Sequence, residues 1–148
     1  MTFAFNDPRM WDWAVGMARH VALLSKDPST KVGAVIFDGK KRIVSAGYNG
    51  LPRGVSDTQE RLTNRDIKYK MTLHAEVNAL SFATAPVEGA TLFCTHPCCT
   101  QCAAQIIQRG VAHVCWPTPD VTFFSRWAYD MDLSAKMFEE AGVTIHVR

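Results

Sequence analysis

Two short segments of the chain contain residue types that bind transition metals. His-Ala-Glu occupies positions 74–76, and Cys-Thr-Gln-Cys occupies positions 99–102. Imidazole nitrogen and thiolate sulfur are common zinc ligands, and catalytic zinc sites usually have three protein ligands with a fourth position open to water. Cysteines three positions apart at the start of a helix project to the same side. The spacing therefore predicts a catalytic zinc centre held by His74, Cys99 and Cys102.

Glu76 lies two residues after the predicted histidine ligand, and we interpret it as a catalytic residue rather than a ligand. A carboxylate beside an activated water molecule can accept its proton and deliver protons to a ring nitrogen and to departing ammonia. A His-x-Glu motif followed by Pro-Cys-x-x-Cys is the signature of zinc deaminases of nucleobases. The two segments together predict hydrolytic deamination.

The cysteine segment departs from that signature at one position. In the signature, proline immediately precedes the first ligand cysteine, but here Pro97 is followed by Cys98 and then by Cys99. Cys98 and Cys102 lie four positions apart and can also share a helix face. We favour Cys99 as the ligand, and Cys98 remains the alternative.

Composition and charge narrow the class of protein. The chain has 148 residues, of which 47% are hydrophobic, and this suits one globular domain over residues 1–148. The formal net charge is +2, and there is no run of Lys or Arg, which disfavours a nucleic-acid partner. The apolar stretches are much shorter than the ~20 residues of a membrane span, and the N-terminus has no signal-peptide pattern. We therefore expect a cytoplasmic protein without a membrane partner.

The five cysteines suit a metal site better than a set of disulfides. Their number is odd, and three of them lie within positions 98–102, a pattern that favours a metal site in a reducing compartment. Cys94 and Cys115 fall in predicted strands, where buried cysteines commonly bind no metal. We expect one zinc ion per chain.

Hydrophobic periodicity predicts alternating helices and strands around these segments. A first helix begins at Pro8 with Asp7 as its cap, and its apolar stripe includes Trp13 but not Trp11. Strands 31–37 and 42–48 are predicted to join as an antiparallel hairpin, and a long functional loop with a short helix is predicted over 49–72. The remaining predicted helices are 74–85, 99–109 and 133–141. The remaining predicted strands are 90–95, 111–116 and 143–147. This alternation predicts a layered α/β fold around a mixed sheet.

Four segments resemble the deoxycytidylate deaminases, and the resemblance extends over nearly the full chain. They are Asp-Pro-Ser-Thr-Lys-Val-Gly-Ala at 27–34, Gly-Tyr-Asn-Gly-Leu-Pro-Arg-Gly at 47–54, His-Ala-Glu-Val-Asn-Ala at 74–79 and Cys-Thr-Gln-Cys-Ala at 99–103. The resemblance implies a three-layer α/β/α cytidine-deaminase-like fold with a five-stranded mixed sheet. It also implies conversion of dCMP to dUMP and ammonia, which supplies dUMP for thymidylate synthesis.

The resemblance further implies a regulated homohexamer. Enzymes of this family are usually activated by dCTP and inhibited by dTTP at a site that includes the Gly-Tyr-Asn-Gly loop. Tyr48 and Gly50 are therefore the expected effector contacts, and Mg²⁺ would accompany a triphosphate effector. Asn49 is expected to contact the substrate, because its counterparts contact the nucleotide sugar or base and its amide both donates and accepts hydrogen bonds.

Two basic side chains are candidates for binding the 5′-phosphate of the substrate. Lys31 and Arg126 can each form charge-assisted hydrogen bonds to phosphate, and either can equally be a solvated surface charge. The nearest alternative function is deamination of another nucleotide, nucleoside or nucleic-acid base. A non-catalytic zinc module that binds nucleotides is an alternative of a different class. Glu76 argues against that module, because a structural zinc site has no use for a carboxylate beside its metal.

Overall fold

The computed structural model describes residues 3–148. Within them the chain forms six helices and five strands. In chain order these are α1 (Pro8–Ala22), β1 (Gly33–Phe37), β2 (Ile43–Tyr48), α2 (Gln59–Thr63), α3 (Arg65–Met71), α4 (Ala75–Ser81), β3 (Thr91–Cys94), α5 (Thr100–Gln108), β4 (His113–Trp116), α6 (Val121–Ala141) and β5 (Thr144–Val147). Every predicted strand is present, and the differences at strand ends are of the size expected between methods of assignment.

The five strands form one mixed sheet in the order β2-β1-β3-β4-β5. β1 pairs antiparallel with both β2 and β3, whereas β3, β4 and β5 run parallel. α1 packs on one face, and α4, α5 and α6 contribute to the apolar core on the other. The predicted three-layer α/β/α fold with a five-stranded mixed sheet is confirmed. Every residue of β1 is buried, as expected for a central strand covered on both faces.

α1 begins where predicted, but its buried face is rotated from the predicted stripe. The Asp7 carboxylate caps the helix by accepting a hydrogen bond from the Arg9 backbone N–H at 2.9 Å. Trp11 is buried and its ring meets the Phe93 ring edge-on at 5.1 Å, whereas Trp13 is 44% exposed. The prediction that placed Trp13 rather than Trp11 on the core face is therefore wrong. Helical periodicity detects an apolar face but does not decide which of two nearby tryptophans meets the sheet.

The last helix is much longer than the predicted 133–141. α6 begins at Val121, because the Asp120 carboxylate accepts a hydrogen bond from the Phe123 backbone N–H at 2.7 Å and caps the helix there. The first half of α6 is largely exposed, so its start is set by this local cap rather than by burial of an apolar face. Neither α6 nor any other helix formed by residues 3–148 is long and apolar enough to cross a membrane.

The segment 49–72 contains two short helices rather than one. α2 is capped by the Thr58 side chain, and α3 is capped by the Asn64 side chain. The segment returns to the end of β2 through a pair of backbone hydrogen bonds between Gly50 and Leu73. These contacts bring the chain back to the sheet immediately before His74.

The contact between β2 and α4 depends on a glycine. A Cβ atom at Gly47 would stand 2.7 Å from the Ala75 oxygen and 2.9 Å from the Asn78 carbonyl carbon. Only glycine permits two backbones to approach so closely. Because α4 begins directly after His74, this contact helps to set the position of the histidine relative to the sheet.

We expect Gly47→Ala to destabilise the protein and to lower its zinc content. The added methyl group meets backbone atoms of α4 that cannot rotate away, and overpacking of this kind costs on the order of 1–3 kcal/mol. Thermal unfolding and metal analysis measure the two effects. Gly39→Ala is the matched control, because a Cβ atom at Gly39 meets no heavy atom within 4 Å. Equal stability of the two variants would contradict the role given to Gly47.

Candidate metal and catalytic site

Two helix starts bring the predicted metal ligands together. His74 is the N-cap of α4 and Cys99 is the N-cap of α5. Cys102 lies in the first turn of α5, and its backbone N–H donates a hydrogen bond to Cys99 Sγ at 3.4 Å. The partial positive charge at the start of a helix stabilises a thiolate anion. Both cysteines therefore lie where their metal-binding form is favoured.

The three donor atoms have separations that suit a zinc ion. His74 Nδ1 lies 3.4 Å from Cys99 Sγ and 3.3 Å from Cys102 Sγ. A tetrahedral ion with Zn–S bonds of about 2.3 Å and Zn–N bonds of about 2.0 Å would separate nitrogen from sulfur by about 3.5 Å. All three donor atoms lie within 4.8 Å of one another. The donor set therefore fits Zn²⁺, with Nδ1 as the histidine atom that faces the sulfurs.

The pKa values of His74, Cys99 and Cys102 are shifted in different directions. A hydrogen bond from Cys102 and the neighbouring His74 lower the pKa of Cys99 to about 4. The hydrogen bond with Cys99 raises the pKa of His74 to about 9. The pKa of Cys102 is raised, first by its hydrogen bond to Cys99 and then by burial. Cys99 is thus a thiolate near neutral pH, and metal binding releases the remaining protons.

Glu76 lies on the buried side of this site. It is the second residue of α4 and is only 3% exposed. Burial raises the pKa of its carboxyl, and the nearby His74 opposes that rise. Among the described residues, the metal-binding group does not include Glu76. A buried carboxyl close to such a group, but outside it, has the position expected of a proton carrier.

Cys98, the alternative ligand, lies outside the metal-binding group. It is fully buried, and its thiol is hydrogen-bonded to the thiol of Cys94. Its backbone oxygen accepts a hydrogen bond from Ser134 Oγ at 2.8 Å. The structure therefore brings Cys99, rather than Cys98, to His74 and Cys102.

Asp130 of α6 supports the start of α5, and sequence reasoning missed it. Its carboxylate accepts hydrogen bonds from the Thr100 backbone N–H at 3.1 Å and from Thr100 Oγ1 at 2.9 Å. These bonds hold the turn that carries both predicted cysteine ligands. Asp130 lies outside the predicted helix 133–141 and 30 positions from its partner, so no local pattern reveals the contact.

The Asn49 side chain bonds mainly to the backbone of the chain itself. Its Oδ1 accepts a hydrogen bond from the Val32 N–H at 2.8 Å, and its Nδ2 donates to the Thr30 oxygen at 2.9 Å. The amide thus ties the end of β2 to the segment before β1. One N–H and one acceptor lone pair remain, so its contact with a substrate stays a prediction.

The two predicted phosphate ligands lie in different surroundings. Lys31 is exposed and lines a cavity of about 410 Å³ together with His96. Arg126 Nη2 donates a hydrogen bond to Tyr69 Oη at 3.3 Å, and its guanidinium lies over the Trp127 ring. Lys31 therefore lies at a cavity, whereas Arg126 contacts two aromatic side chains.

The predicted effector residues lie at the end of β2. Tyr48 is the last residue of that strand and is exposed, and Gly50 pairs with Leu73. Asn78 of α4 donates a side-chain hydrogen bond to the Tyr48 backbone oxygen at 2.8 Å. This bond connects the predicted effector loop to the helix that carries Glu76.

Comparisons with known proteins identify the family. The family model for the cytidine and deoxycytidylate deaminase zinc-binding region matches residues 8–118. This chain belongs to that family. The deaminase is 49% identical over 129 residues to a deaminase of the luxG 3′ region in Aliivibrio fischeri, a match that covers 87% of this chain and 86% of that protein. It is 36% identical over 129 residues to the deoxycytidylate deaminase of Homo sapiens, covering 81% of this chain and 68% of that protein.

A solved structure agrees with this assignment. The dCMP deaminase of the cyanophage S-TIM5, in complex with dCMP and dUMP, superposes on the deaminase with a TM-score of 0.74. The two are 25% identical, and the match covers 96% of this chain and 98% of that one. The deaminase is therefore a hydrolytic enzyme of the deoxycytidylate deaminase type. The matched zinc-binding region includes the group formed by His74, Cys99 and Cys102.

Cys99→Ser is expected to remove zinc from the purified deaminase, whereas Cys98→Ser is expected to retain one ion per chain. Serine is a poor zinc ligand, and only the first substitution changes an atom of the metal-binding group. Metal analysis measures the zinc content, and circular dichroism checks that both variants fold. The reverse pattern would make Cys98 the ligand, and two ions per wild-type chain would contradict a single site.

A buried ion pair holds the segment that carries Lys31. Lys68 Nζ lies 3.2 Å from Asp27 Oδ1, and the two side chains are only 9% and 10% exposed. Asp27 Oδ1 also accepts hydrogen bonds from the backbone N–H groups of Ser29 and Thr30. The pair therefore connects α3 to the turn that leads into β1.

Lys68→Met is expected to lower the free energy of unfolding by about 3 kcal/mol. The substitution leaves a buried carboxylate without its cation, which is strongly destabilising. Lys70→Met is the matched control, because its pair with Asp66 is exposed and such pairs contribute about 0–1 kcal/mol. Urea unfolding of both variants measures the difference. A similar small change in both would show that the Asp27 carboxylate does not depend on Lys68.

Proposed function

We propose that the deaminase converts dCMP to dUMP and ammonia with one zinc ion held by His74, Cys99 and Cys102. The observation that carries the proposal is the convergence of both sulfurs on His74 Nδ1, with Glu76 buried beside them. Two comparisons support the proposal. Proteins similar over most of this chain are deoxycytidylate deaminases, and a phage enzyme of similar fold binds dCMP and dUMP. The product would supply thymidylate synthesis, and we expect the reaction to occur in the cytoplasm.

The reaction exchanges the amino group at C4 of cytosine for an oxygen atom from water. One dCMP and one water molecule give one dUMP and one ammonia molecule, so the C4–O bond forms and the C4–N bond breaks without oxidation or reduction. A catalytic zinc ion supplies Lewis-acid chemistry that makes water nucleophilic near neutral pH. His74, Cys99 and Cys102 hold that ion in place at the starts of α4 and α5.

Glu76 moves the protons in this proposal. Its carboxylate accepts a proton from the attacking water and delivers it to the N3 ring nitrogen. It then accepts the proton of the hydroxyl group now bonded to C4 and delivers it to the amino group, so that the C4=O bond of dUMP forms as ammonia leaves. The burial of Glu76 supports this role, because a site that excludes bulk water limits the loss of the transferred proton.

Asn49 and a basic side chain bind the nucleotide in this proposal. The free N–H and lone pair of the Asn49 amide contact the sugar or base, while its other bonds hold it still. Lys31 binds the 5′-phosphate from the cavity that it lines. Arg126 is the weaker candidate, because its guanidinium is already bonded to Tyr69.

We extend the proposal to regulation. dCTP activates and dTTP inhibits through Tyr48 and Gly50, with Mg²⁺ bound to the triphosphate, in a homohexamer. The hydrogen bond from Asn78 to the Tyr48 backbone oxygen supports this, because it links the loop to the helix of Glu76. Assays with added dCTP or dTTP, and the mass of the assembly in solution, test these points.

Glu76→Gln is expected to lower the rate of ammonia release from dCMP by about 10²–10⁴-fold, because glutamine keeps the shape of the side chain but its amide cannot accept and release a proton as a carboxylate does. Ammonia is measured with purified protein of known zinc content, using dCMP, deoxycytidine and dCTP as substrates. Wild-type enzyme is expected to prefer dCMP.

Glu139→Gln is the matched control, since Glu139 is an exposed residue of α6 and its variant is expected to have wild-type activity. Full activity of Glu76→Gln with zinc bound would remove the proton role of Glu76. Faster turnover of deoxycytidine or dCTP than of dCMP would assign the site to that substrate.

A further inference from the structure

A cavity of about 410 Å³ is lined in part by Thr95 and His96, in the loop that leads from β3 to the cysteine segment. It is bounded by the end of α1, the start of α6 and the residues that follow β3 and β4. Its polar lining consists of Arg19, Lys31, Thr95, His96, Thr118 and Asp120. The volume is typical of small-molecule sites, and ligands of α/β folds commonly bind at the carboxyl ends of parallel strands.

Two cations without an ionic partner line this cavity. Neither Arg19 nor Lys31 forms an ion pair with any residue between positions 3 and 148. Asp120 is the acidic residue of the lining, and its carboxylate already accepts the capping hydrogen bond from Phe123. Two cations and one carboxylate give the lining a net charge of +1, so the cavity favours an anion.

His96 connects this cavity to the catalytic site. It lines the cavity and precedes Cys99 by three residues, so the two Cα atoms are at most ~11 Å apart. Its Nδ1 is hydrogen-bonded to Thr95 Oγ1 at 2.8 Å, and burial lowers the pKa of its imidazole. His96 is therefore neutral near pH 7, and the anion-binding charge of the cavity comes from Arg19 and Lys31. The loop after β3 therefore connects the cavity to the segment that carries Cys99.

We propose that Arg19 and Lys31 together form the 5′-phosphate subsite, and that Arg19 makes the enzyme prefer a nucleotide to a nucleoside. The inference rests on the proposed function, because it takes dCMP as the ligand of the neighbouring centre. A phosphate monoester carries a charge of about −2 at pH 7, which two cations can balance. The guanidinium of Arg19 offers paired N–H donors to the phosphate oxygens, and Lys31 offers a point charge.

The experiment compares nucleotide with nucleoside in the wild-type enzyme and in Arg19→Ala and Lys31→Ala. Loss of a charge-assisted hydrogen bond is expected to lower kcat/KM for dCMP by about 10- to 100-fold. The kcat/KM for deoxycytidine, which has no phosphate, is expected to change by less than about twofold. Arg19→Lys keeps the charge and is expected to recover part of the lost activity toward dCMP.

Arg9→Ala is the matched control. Arg9 lies on the same helix as Arg19, its side chain is 92% exposed, and it is absent from the cavity lining. This variant is expected to keep the wild-type ratio of dCMP to deoxycytidine turnover, so the control separates a local effect from a general loss of positive charge.

Calorimetric binding of dUMP and deoxyuridine provides a measurement that does not require turnover. Weaker dUMP binding by Arg19→Ala, with deoxyuridine binding unchanged, supports the subsite even if the wild-type enzyme proves inactive on dCMP and the proposed function fails. Unchanged dUMP binding in both alanine variants overturns the subsite. An equal loss of affinity for dUMP and for deoxyuridine also overturns it, because Arg19 and Lys31 would then not bind the phosphate.

Discussion

The candidate metal site depends on two sulfur atoms lying 3.4 Å and 3.3 Å from the same nitrogen of His74. The nitrogen lies at the start of α4 and both sulfurs lie at the start of α5. β3 separates these two helices along the chain. A metal site tolerates errors of only about 0.2 Å in its bond lengths, so the starts of α4 and α5 must be held relative to each other by the rest of the fold. The arrangement of the sheet and its helices can be understood from that requirement.

Each helix start is held by a contact from a distant part of the chain. Gly47 lets the backbone of β2 approach α4 closely enough to position His74. On the other side, the Asp130 carboxylate bonds to Thr100 at the first turn of α5. The same arrangement buries Glu76 beside the ligands, where its carboxyl is shielded from bulk water. The predicted ligands and Glu76 are therefore held together by packing as well as by their own hydrogen bonds.

The cavity is assembled from four separate parts of the chain. Lys31 lies in the turn before β1, which Asn49 holds through Val32 and Thr30. The end of α1 contributes Arg19, and the residues after β3 and β4 complete the cavity. A net positive charge is thus gathered from residues that are distant in sequence, and this favours an anionic ligand over a neutral one.

The sequence by itself determined the class of fold and the residue types of the candidate site, because the patterns behind those inferences are local. Strand alternation and the spacing within two helix starts need only a few neighbouring residues to be visible. The tertiary structure alone decided that Trp11 and not Trp13 is buried and that α6 begins at Val121. It also decided that Arg19 lines the cavity and that Asp130 bonds to Thr100 at the start of α5. Each of these depends on contacts between residues far apart in the chain, and local periodicity carries no information about which distant surface a residue will meet.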